Sequence, residues 1–213
     1  SATCVTGLAI VDTGTSWSLF GHIVILVMIQ TGGLGFMTMA TMLSLLARRS
    51  LSPKERLVAA ESLSFSTHEN TPALVKRIFI ATGMVESTGA LILMTRFIPM
   101  FGLKGIWLGV FHSISAFCNA GFDIMGTYLP PGTSMIGLCS DPVVNSTLML
   151  LIMIGGIGFA VWWDVLDLIF KKKPLSVYSS LVLKFTAALV FGGGALILFF
   201  EWSNTATMAN MPL

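Results

Sequence analysis

Apolar residues are concentrated in four long segments that charged residues rarely interrupt. The segments cover residues 19–47, 73–98, 144–170 and 177–202, and each holds 26 to 29 residues. As helices they would be roughly 40 Å long, which exceeds the ~30 Å hydrocarbon core of a bilayer. The pattern therefore predicts four helices that each cross a membrane, with some tilt or with ends in the headgroup region.

A fifth apolar segment is too short to cross. It runs from Gly105 to Cys118, which as a helix would reach only about 20 Å. This length favours a half-helix that enters the membrane and leaves it on the same side. Residues 122–142 follow, and their glycines and prolines predict an exposed loop.

The composition supports an all-α integral membrane protein. Of the 213 residues, 54% are hydrophobic and 10% are charged, whereas a soluble domain carries about 25% charged residues. The net charge of +2 gives no reason to expect a nucleic acid partner. Nine of the 12 basic residues lie within 48–77 and 171–173, which predicts that these two connections are cytoplasmic.

Two stretches resemble each other at an offset of 114 residues. SATCVTGLAIVDT begins at Ser1, SAFCNAGFDIMGT begins at Ser115, and six of the thirteen positions are identical. A second match, at an offset of 123, pairs GGLGF from Gly32 with GGIGF from Gly155. Two matches in the same order and on the same side of the membrane predict a duplication. The repeating unit is a spanning helix, a half-helix, a turn of small residues and a second spanning helix.

The turn after each half-helix is the candidate functional element. Non-helical backbone at membrane depth is tolerated where it is buried in protein or lines a water-filled path, and a ring of carbonyl oxygens there can replace the hydration shell of a cation. The turn residues are uncharged and would offer their main chain: Cys4, Val5, Thr6 and Gly7 in one repeat, Cys118, Asn119, Ala120 and Gly121 in the other. The alternative is a re-entrant loop with a purely structural role.

The motifs CVTGL, CNAGF, QTGGLGFMT and GGIGF resemble those of the Trk/Ktr/HKT superfamily of potassium transporters, most of all its KtrB-type membrane subunit. The resemblance extends over essentially the whole chain. It implies tandem helix–pore-loop–helix repeats of a potassium-channel-like transporter, four around one pore, each giving a quarter of the ion filter. It further implies potassium as the transported ion with sodium as a second candidate, no cofactor, a homodimer, and a cytoplasmic nucleotide-binding regulatory subunit.

The resemblance also divides the chain into parts. Residues 1–47 would be the end of a first repeat, with its filter and second helix, and residues 48–72 a cytoplasmic linker. Residues 73–171 would be a complete second repeat, and residues 172–213 the leading helix of a third. A four-part pore needs four filter segments and two are found here, so we expect the chain to be a piece of a longer protein.

Several other residues are candidates, each with two interpretations. Asp12 and Asp123 stand beside the turns and either attract cations to a pore mouth or are solvated loop charges. Glu86, within the second span, is either functional or a hydrogen-bonded structural residue, and Lys184 either reaches the cytoplasmic surface or pairs with an acidic group. The glycines of the two repeated motifs either permit close packing or form hinges; they are Gly32, Gly33, Gly35, Gly155, Gly156 and Gly158.

Two functions follow from this organisation. The first is uptake of potassium across the plasma (inner) membrane through a pore with a carbonyl filter. The alternative is a secondary transporter with broken helices and a substrate site at the bilayer midplane. Repeats of one orientation favour the pore, because many secondary transporters carry inverted repeats. An enzyme is not expected, since no nucleophile–base pair, histidine cluster or phosphate-binding loop is found.

Overall fold

The computed structural model describes residues 1–35, 38, 71–130 and 133–204. Within these ranges the chain forms α1 (Thr13–Ser16), α2 (Leu19–Gly33), α3 (Thr71–Phe101), α4 (Lys104–Phe117), α5 (Pro142–Ile157), α6 (Phe159–Lys171) and α7 (Val177–Glu201), with 3₁₀ turns at Met125–Thr127 and Ser134–Leu138. The chain divides into two compact units, Ser1–Gly156 and Ile157–Leu213.

A hairpin of α3 and α4 forms the centre of the first unit. The chain reverses at Gly102, whose φ of +64° is readily adopted only by glycine. The two helices then run in backbone contact, because a Cβ on Gly105 would lie 2.5 Å from the Phe97 carbonyl and one on Gly109 3.0 Å from the Ala90 carbonyl oxygen. Glycines four residues apart permit this approach. The 14 residues of α4 agree with the half-helix predicted from residue 105 to 118.

The core of this unit includes the chain that follows α4. Among the largest fully buried side chains are those of Phe97, Phe111, Leu93, Leu108, Ile124 and Met125. The exposed loop predicted for residues 122–142 is therefore wrong in its first part. Apolar side chains at Phe122, Ile124 and Met125 are buried, and their burial decides the position of this segment more strongly than its glycine does.

Glycines interrupt two of the four predicted spans. Helix α2 ends at Gly33, and Gly35 then adopts a φ of +83°; the remainder of that predicted span, apart from residue 38, lies outside the described residues. The third predicted span is divided into α5 and α6 by Gly158, with a φ of +93°. A continuous helix over residues 144–170 is thus wrong, because this φ lies far from helical values.

Two helices among the described residues are long and apolar enough to cross a membrane alone, Val75–Phe101 and Val177–Glu201. Helices α5 and α6 pass the same test together as one interrupted span, and α2 is a shorter apolar helix. The apolar side chains of α7 are strongly exposed, with Leu189, Phe191 and Phe199 at 73%, 76% and 79%. Such a surface suits an apolar environment and not water.

Hydrogen bonds to a carboxylate fix the elbow between α6 and α7 in the second unit. Asp164 accepts from the hydroxyls of Ser176 and Ser179, and Ser176 also caps α7 by accepting from the Ser179 amide at 3.2 Å. Lys171 pairs with Asp167 at 2.7 Å one turn along α6. The basic connection that the sequence predicts to be cytoplasmic is therefore a short, internally bonded elbow.

An ion pair joins the end of α3 to the beginning of α5. The Nε of Arg96 lies 2.7 Å from Oδ2 of Asp141, whose Oδ1 accepts from the amides of Val143 and Val144. Partial desolvation raises the pKa of the Asp141 carboxyl, but the bonds from Arg96, Val144 and Val143 outweigh it and hold the pKa below its usual value. The carboxylate therefore stabilises the fold above its unfolded-state pKa, and this contribution is lost as pH falls through the lower folded-state pKa.

We expect Asp141→Ala to destabilise the protein more than Asp141→Asn. Asparagine still caps α5 and loses only the partly exposed ion pair, at up to about 1 kcal/mol, whereas alanine also loses the cap, a further ~1 kcal/mol. Thermal unfolding in detergent measures both changes, with Arg96→Gln as the second way to remove the pair. Equal melting temperatures for the two Asp141 variants would contradict the capping role.

Candidate functional site

Two short turns with the same backbone geometry form the candidate site. Turn 1 covers residues 1–7 and turn 2 covers residues 115–121. In turn 1 the amides of Val5 and Thr6 donate to the carbonyls of Ala2 and Ser1 at 3.2 Å each. In turn 2 the amides of Asn119 and Ala120 donate to the carbonyls of Ala116 and Ser115 at 3.0 and 2.8 Å. Every partner is displaced by 114 residues, the offset found in the sequence.

The unusual backbone angles repeat at the same offset. Val5 and Asn119 have φ values of +46° and +57°, and Gly7 and Gly121 have +69° and +71°. A positive φ is uncommon outside glycine and is an outlier for a β-branched residue such as valine. Residues held in such conformations concentrate at functional sites, where the surrounding structure maintains them.

The two turns lie against each other. A Cβ on Gly7 would be 2.7 Å from the Ala120 carbonyl oxygen and 3.2 Å from the Gly121 Cα, and a Cβ on Gly121 would be 3.5 Å from the Gly7 Cα. A cavity of about 280 Å³ opens beside this contact, lined by Gly7, Asp12, Gly121, Asp123 and Ser134, among others. Of the eight predicted turn residues, Gly7 and Gly121 line this cavity, so the two turns meet beside it.

Each turn is supported by a glycine of the repeated GGxGF motif. A Cβ on Gly32 of α2 would collide with the Thr3 carbonyl oxygen, and one on Gly155 of α5 would collide with the Phe117 carbonyl oxygen. Thr3 and Phe117 are themselves 114 residues apart. The structure therefore gives the two repeats the same contact between the second helix and the backbone that leads into the turn.

The motif glycines divide between packing and chain reversal. Gly32 and Gly155 permit the contacts just described, and Gly33 meets Cys118. A Cβ on Gly156 would have room, since its nearest atom is the side-chain nitrogen of Asn119 at 3.6 Å. Gly35 and Gly158 follow the ends of α2 and α5 with positive φ. Packing thus explains Gly32, Gly33 and Gly155, and helix termination explains Gly35 and Gly158; nothing in the described structure requires glycine at position 156.

Polar groups on α4 hold the chain that leaves turn 2. The Ser115 hydroxyl donates to the Phe122 carbonyl at 2.6 Å. The Ile124 amide donates to Nε2 of the buried His112 at 3.4 Å, so Nδ1 of that ring donates to the Leu108 carbonyl at 2.8 Å. The imidazole is therefore a structural bridge between α4 and the segment beyond the turn. The sequence feature that could have indicated this bridge is the spacing of His112 and Ser115. They are three residues apart and therefore lie on one face of an apolar helix.

Both candidate carboxylates line the cavity and also make local hydrogen bonds. Asp12 accepts from the amides of Gly14 and Thr15 at 2.8 and 3.1 Å, which caps α1. Asp123 accepts from the Met125 amide at 3.1 Å and from the Ser134 hydroxyl. Neither is a freely solvated loop charge, and each presents negative charge at the cavity beside a turn.

The side chains of the turns differ in their surroundings. Cys4 is exposed and Cys118 is buried, and both are free thiols. The Asn119 side chain donates to the Ile152 carbonyl of α5 at 3.4 Å, so its amide is engaged by a helix. The side chains of residues 4–7 and 118–121 are all uncharged.

The fold and this site define a class: a helical membrane protein in which internally repeated turns of constrained backbone meet at one cavity. The family model for TrkH, described as a cation transport protein, matches residues 1–209. The chain belongs to the TrkH family, which confirms both the resemblance and the helical membrane fold inferred from its sequence.

Three relatives extend this comparison. The chain is 39% identical to Ktr system potassium uptake protein B of Bacillus subtilis, over 100% of the chain and 46% of the relative. It is 37% identical to the potassium/sodium uptake protein NtpJ of Enterococcus hirae, over 94% of the chain and 43% of the relative. It is 35% identical to Ktr system potassium uptake protein B of Vibrio alginolyticus, over 99% and 46%. The chain spans about half the length of these relatives.

Proposed function

We propose that this chain contributes two carbonyl-lined quarters of the ion filter in a transporter that takes up potassium. The observation that carries the proposal is the contact between turns 1 and 2, where Gly7 meets Ala120 and Gly121. Equivalent turns that meet at a cavity are the arrangement that a filter built from repeats requires. Carbonyl oxygens held in such turns can replace water around a cation without a charged side chain.

The ion-binding residues in this proposal are those of the two turns. Their carbonyls face a dehydrated ion, while Asp12 and Asp123 raise the cation concentration at the cavity. Potassium is the first candidate ion because the relatives are named for its uptake, and sodium is the second because one relative is named for both. The turn residues are Cys4, Val5, Thr6, Gly7, Cys118, Asn119, Ala120 and Gly121.

The division into repeats is also part of the proposal. Residues 1–47 supply a filter turn and its second helix, residues 73–171 supply a complete repeat, and residues 172–213 begin a third; the linker 48–72 lies outside the described residues except for its last two. The remaining quarters come from the rest of a transporter as long as the relatives, here called the family-length transporter. From the family resemblance we also infer a homodimer and a cytoplasmic nucleotide-binding regulatory subunit.

The equal orientation of the two repeats favours a pore over a secondary transporter with a substrate site at the bilayer midplane. In both repeats the turn precedes the helix that carries its supporting glycine, and turns 1 and 2 stand side by side. Inverted repeats, common in secondary transporters, place equivalent elements on opposite sides of the membrane.

Gly121→Ser in the family-length transporter tests the filter. A side chain at a φ of +71° strains the turn by about 1–2 kcal/mol, so we expect the preference for potassium over sodium to fall about tenfold. The measurement is potassium uptake at increasing sodium in a bacterial strain that lacks its own potassium uptake, together with growth at low potassium.

Gly83→Ser is the matched control for this experiment. Gly83 lies on α3, and among the described residues nothing is within 4 Å of the added Cβ, so the same substitution should leave uptake and discrimination intact. Unchanged discrimination in Gly121→Ser, with normal amounts of protein in the membrane, would contradict the filter assignment.

A further inference from the structure

Three polar side chains from different elements meet beside turn 2. Nε2 of Gln30 on α2 donates to Oε1 of Glu86 on α3 at 2.9 Å. Oε1 of Gln30 accepts from Sγ of Cys118 at 3.8 Å. Glu86 and Cys118 are both buried, at 8% and 6% exposure. A helix of the first repeat is thus linked to the leading helix of the second and to the residue that begins its filter segment.

The two partners fix the orientation of the Gln30 amide. An ionised carboxylate only accepts hydrogen bonds, and a thiol is a weak donor, so this pair of partners favours the NH₂ group facing Glu86 and the carbonyl facing Cys118. The reversed amide would oppose two acceptors on one side and two donors on the other. The Glu86 carboxylate therefore holds the Gln30 carbonyl towards the thiol.

A second contact holds Cys118 against the same face of α2. A Cβ on Gly33 would lie 2.6 Å from the Cys118 Cβ and would also meet its sulfur. Gly33 follows Gln30 by three residues, which places both on one side of the helix. The Cys118 side chain is thus confined between a glycine surface and an oriented amide.

Turn 1 has no equivalent of this bridge among the described residues. The position that corresponds to Gln30 at the motif offset of 123 is Met153, which carries no amide. Cys4, the counterpart of Cys118, is exposed. Met153 cannot form the same bridge, so among the described residues the polar link is found at turn 2.

We propose that Gln30 is a positioning residue for turn 2: oriented by Glu86, it fixes Cys118 and thereby sets how well this quarter of the filter discriminates potassium from sodium. The inference rests on the proposed function, because it assumes that the carbonyls of turn 2 face the ion. Glu86 acts through Gln30 and does not touch the ion, which explains a carboxylate at membrane depth without a place for it in the pore.

Gln30→Met tests this in the family-length transporter, since methionine fills a similar volume and stands at the equivalent position of the second repeat. We expect potassium-over-sodium discrimination to fall about fivefold, the effect of one hydrogen bond of ordinary net strength, while maximal uptake at low sodium per transporter in the membrane falls much less. Glu86→Leu should behave alike, and Glu86→Gln, which keeps an acceptor oxygen, should retain discrimination.

A reciprocal exchange separates positioning from general damage. Gln30→Glu alone opposes two carboxylates and should lose discrimination, whereas Gln30→Glu with Glu86→Gln restores a donor facing an acceptor and should regain it. Thr31→Val and Thr88→Val are matched controls, because each removes a hydroxyl that bonds its own helix at Val27 or Met84. Both controls should discriminate as the parent does.

Each outcome decides the inference separately from the proposed function. If Gly121→Ser lowers discrimination and Gln30→Met does not, this inference alone is overturned. If Gly121→Ser has no effect, the filter assignment fails first. If every Gln30 variant fails to reach the membrane while Thr31→Val does, the bridge serves folding and the proposed role in discrimination is overturned.

Discussion

A family-length transporter with Gly155→Val is expected to lose potassium uptake, because valine cannot fit between α5 and the end of α4. The Cβ would collide with the Phe117 carbonyl oxygen. That carbonyl belongs to the last turn of α4, most of whose residues are buried, so a shift of this backbone would disturb packed neighbours. Overpacking a filled interior costs about 1–3 kcal/mol or more, and a clash with main chain lies at the upper end.

The measurement is uptake per transporter in the membrane, with thermal stability in detergent as a second readout. Gly192→Val is the matched control: Gly192 lies within α7, and in the part of the chain that the structure describes nothing is within 4 Å of its added Cβ, so uptake should persist. Gly32→Val should repeat the loss, because its Cβ meets the Thr3 carbonyl in the same way. Normal uptake in Gly155→Val, or loss in only one of the two variants, would contradict the structural equivalence of the repeats.

The equivalence of the repeats was predictable from the sequence because the identical residues each meet a backbone requirement. Gly7 and Gly121 share a positive φ, and Gly32 and Gly155 share contact with a carbonyl. Main-chain geometry restricts substitution at these positions. The repeat can therefore be recognised from these glycines even where the surrounding side chains differ. The short α4 was predictable for another reason: its length alone excludes a crossing.

The different structural roles of the glycines within GGIGF were not predictable from the sequence. Gly155 allows close packing and Gly158, three residues later, ends a helix with a φ of +93°. Both are glycines in an apolar segment, and the difference depends on which neighbour lies opposite each one. The GIWLG sequence of α4 likewise contains the paired glycines that face α3, but the partner helix is needed to recognise them as a packing surface.

The buried polar contacts required the tertiary structure in the same way. Gln30 and Glu86 are 56 residues apart in sequence, and no local pattern connects them. The burial of Phe122, Ile124 and Met125 was not predictable either, because the glycines and prolines of this segment indicate an exposed loop. Turn signals describe local backbone preference, whereas the position of this segment is decided by α4 through Ser115 and His112.

Alanine at Gly7 should impair discrimination more than alanine at Gly121, although the two backbones are nearly identical. Both positions have φ near +70°, so each substitution carries the same left-handed strain of about 1–2 kcal/mol. Only at Gly7 does the new methyl group also approach a carbonyl, at 2.7 Å from the Ala120 oxygen; at Gly121 the nearest atom is at 3.5 Å, an ordinary contact. We expect a loss of about tenfold for Gly121→Ala and at least about thirtyfold for Gly7→Ala.

The order of the two losses tests the contact between the turns and not the strain alone. Potassium uptake at increasing sodium is compared for both variants at equal amounts of transporter in the membrane, with Gly83→Ala as the control for alanine at an open position. If the turns did not meet, both variants would carry only the strain of a positive φ, and the two losses of discrimination would be equal. A larger loss at Gly121 would contradict the geometry directly, because the methyl group there has space that the methyl group at Gly7 lacks.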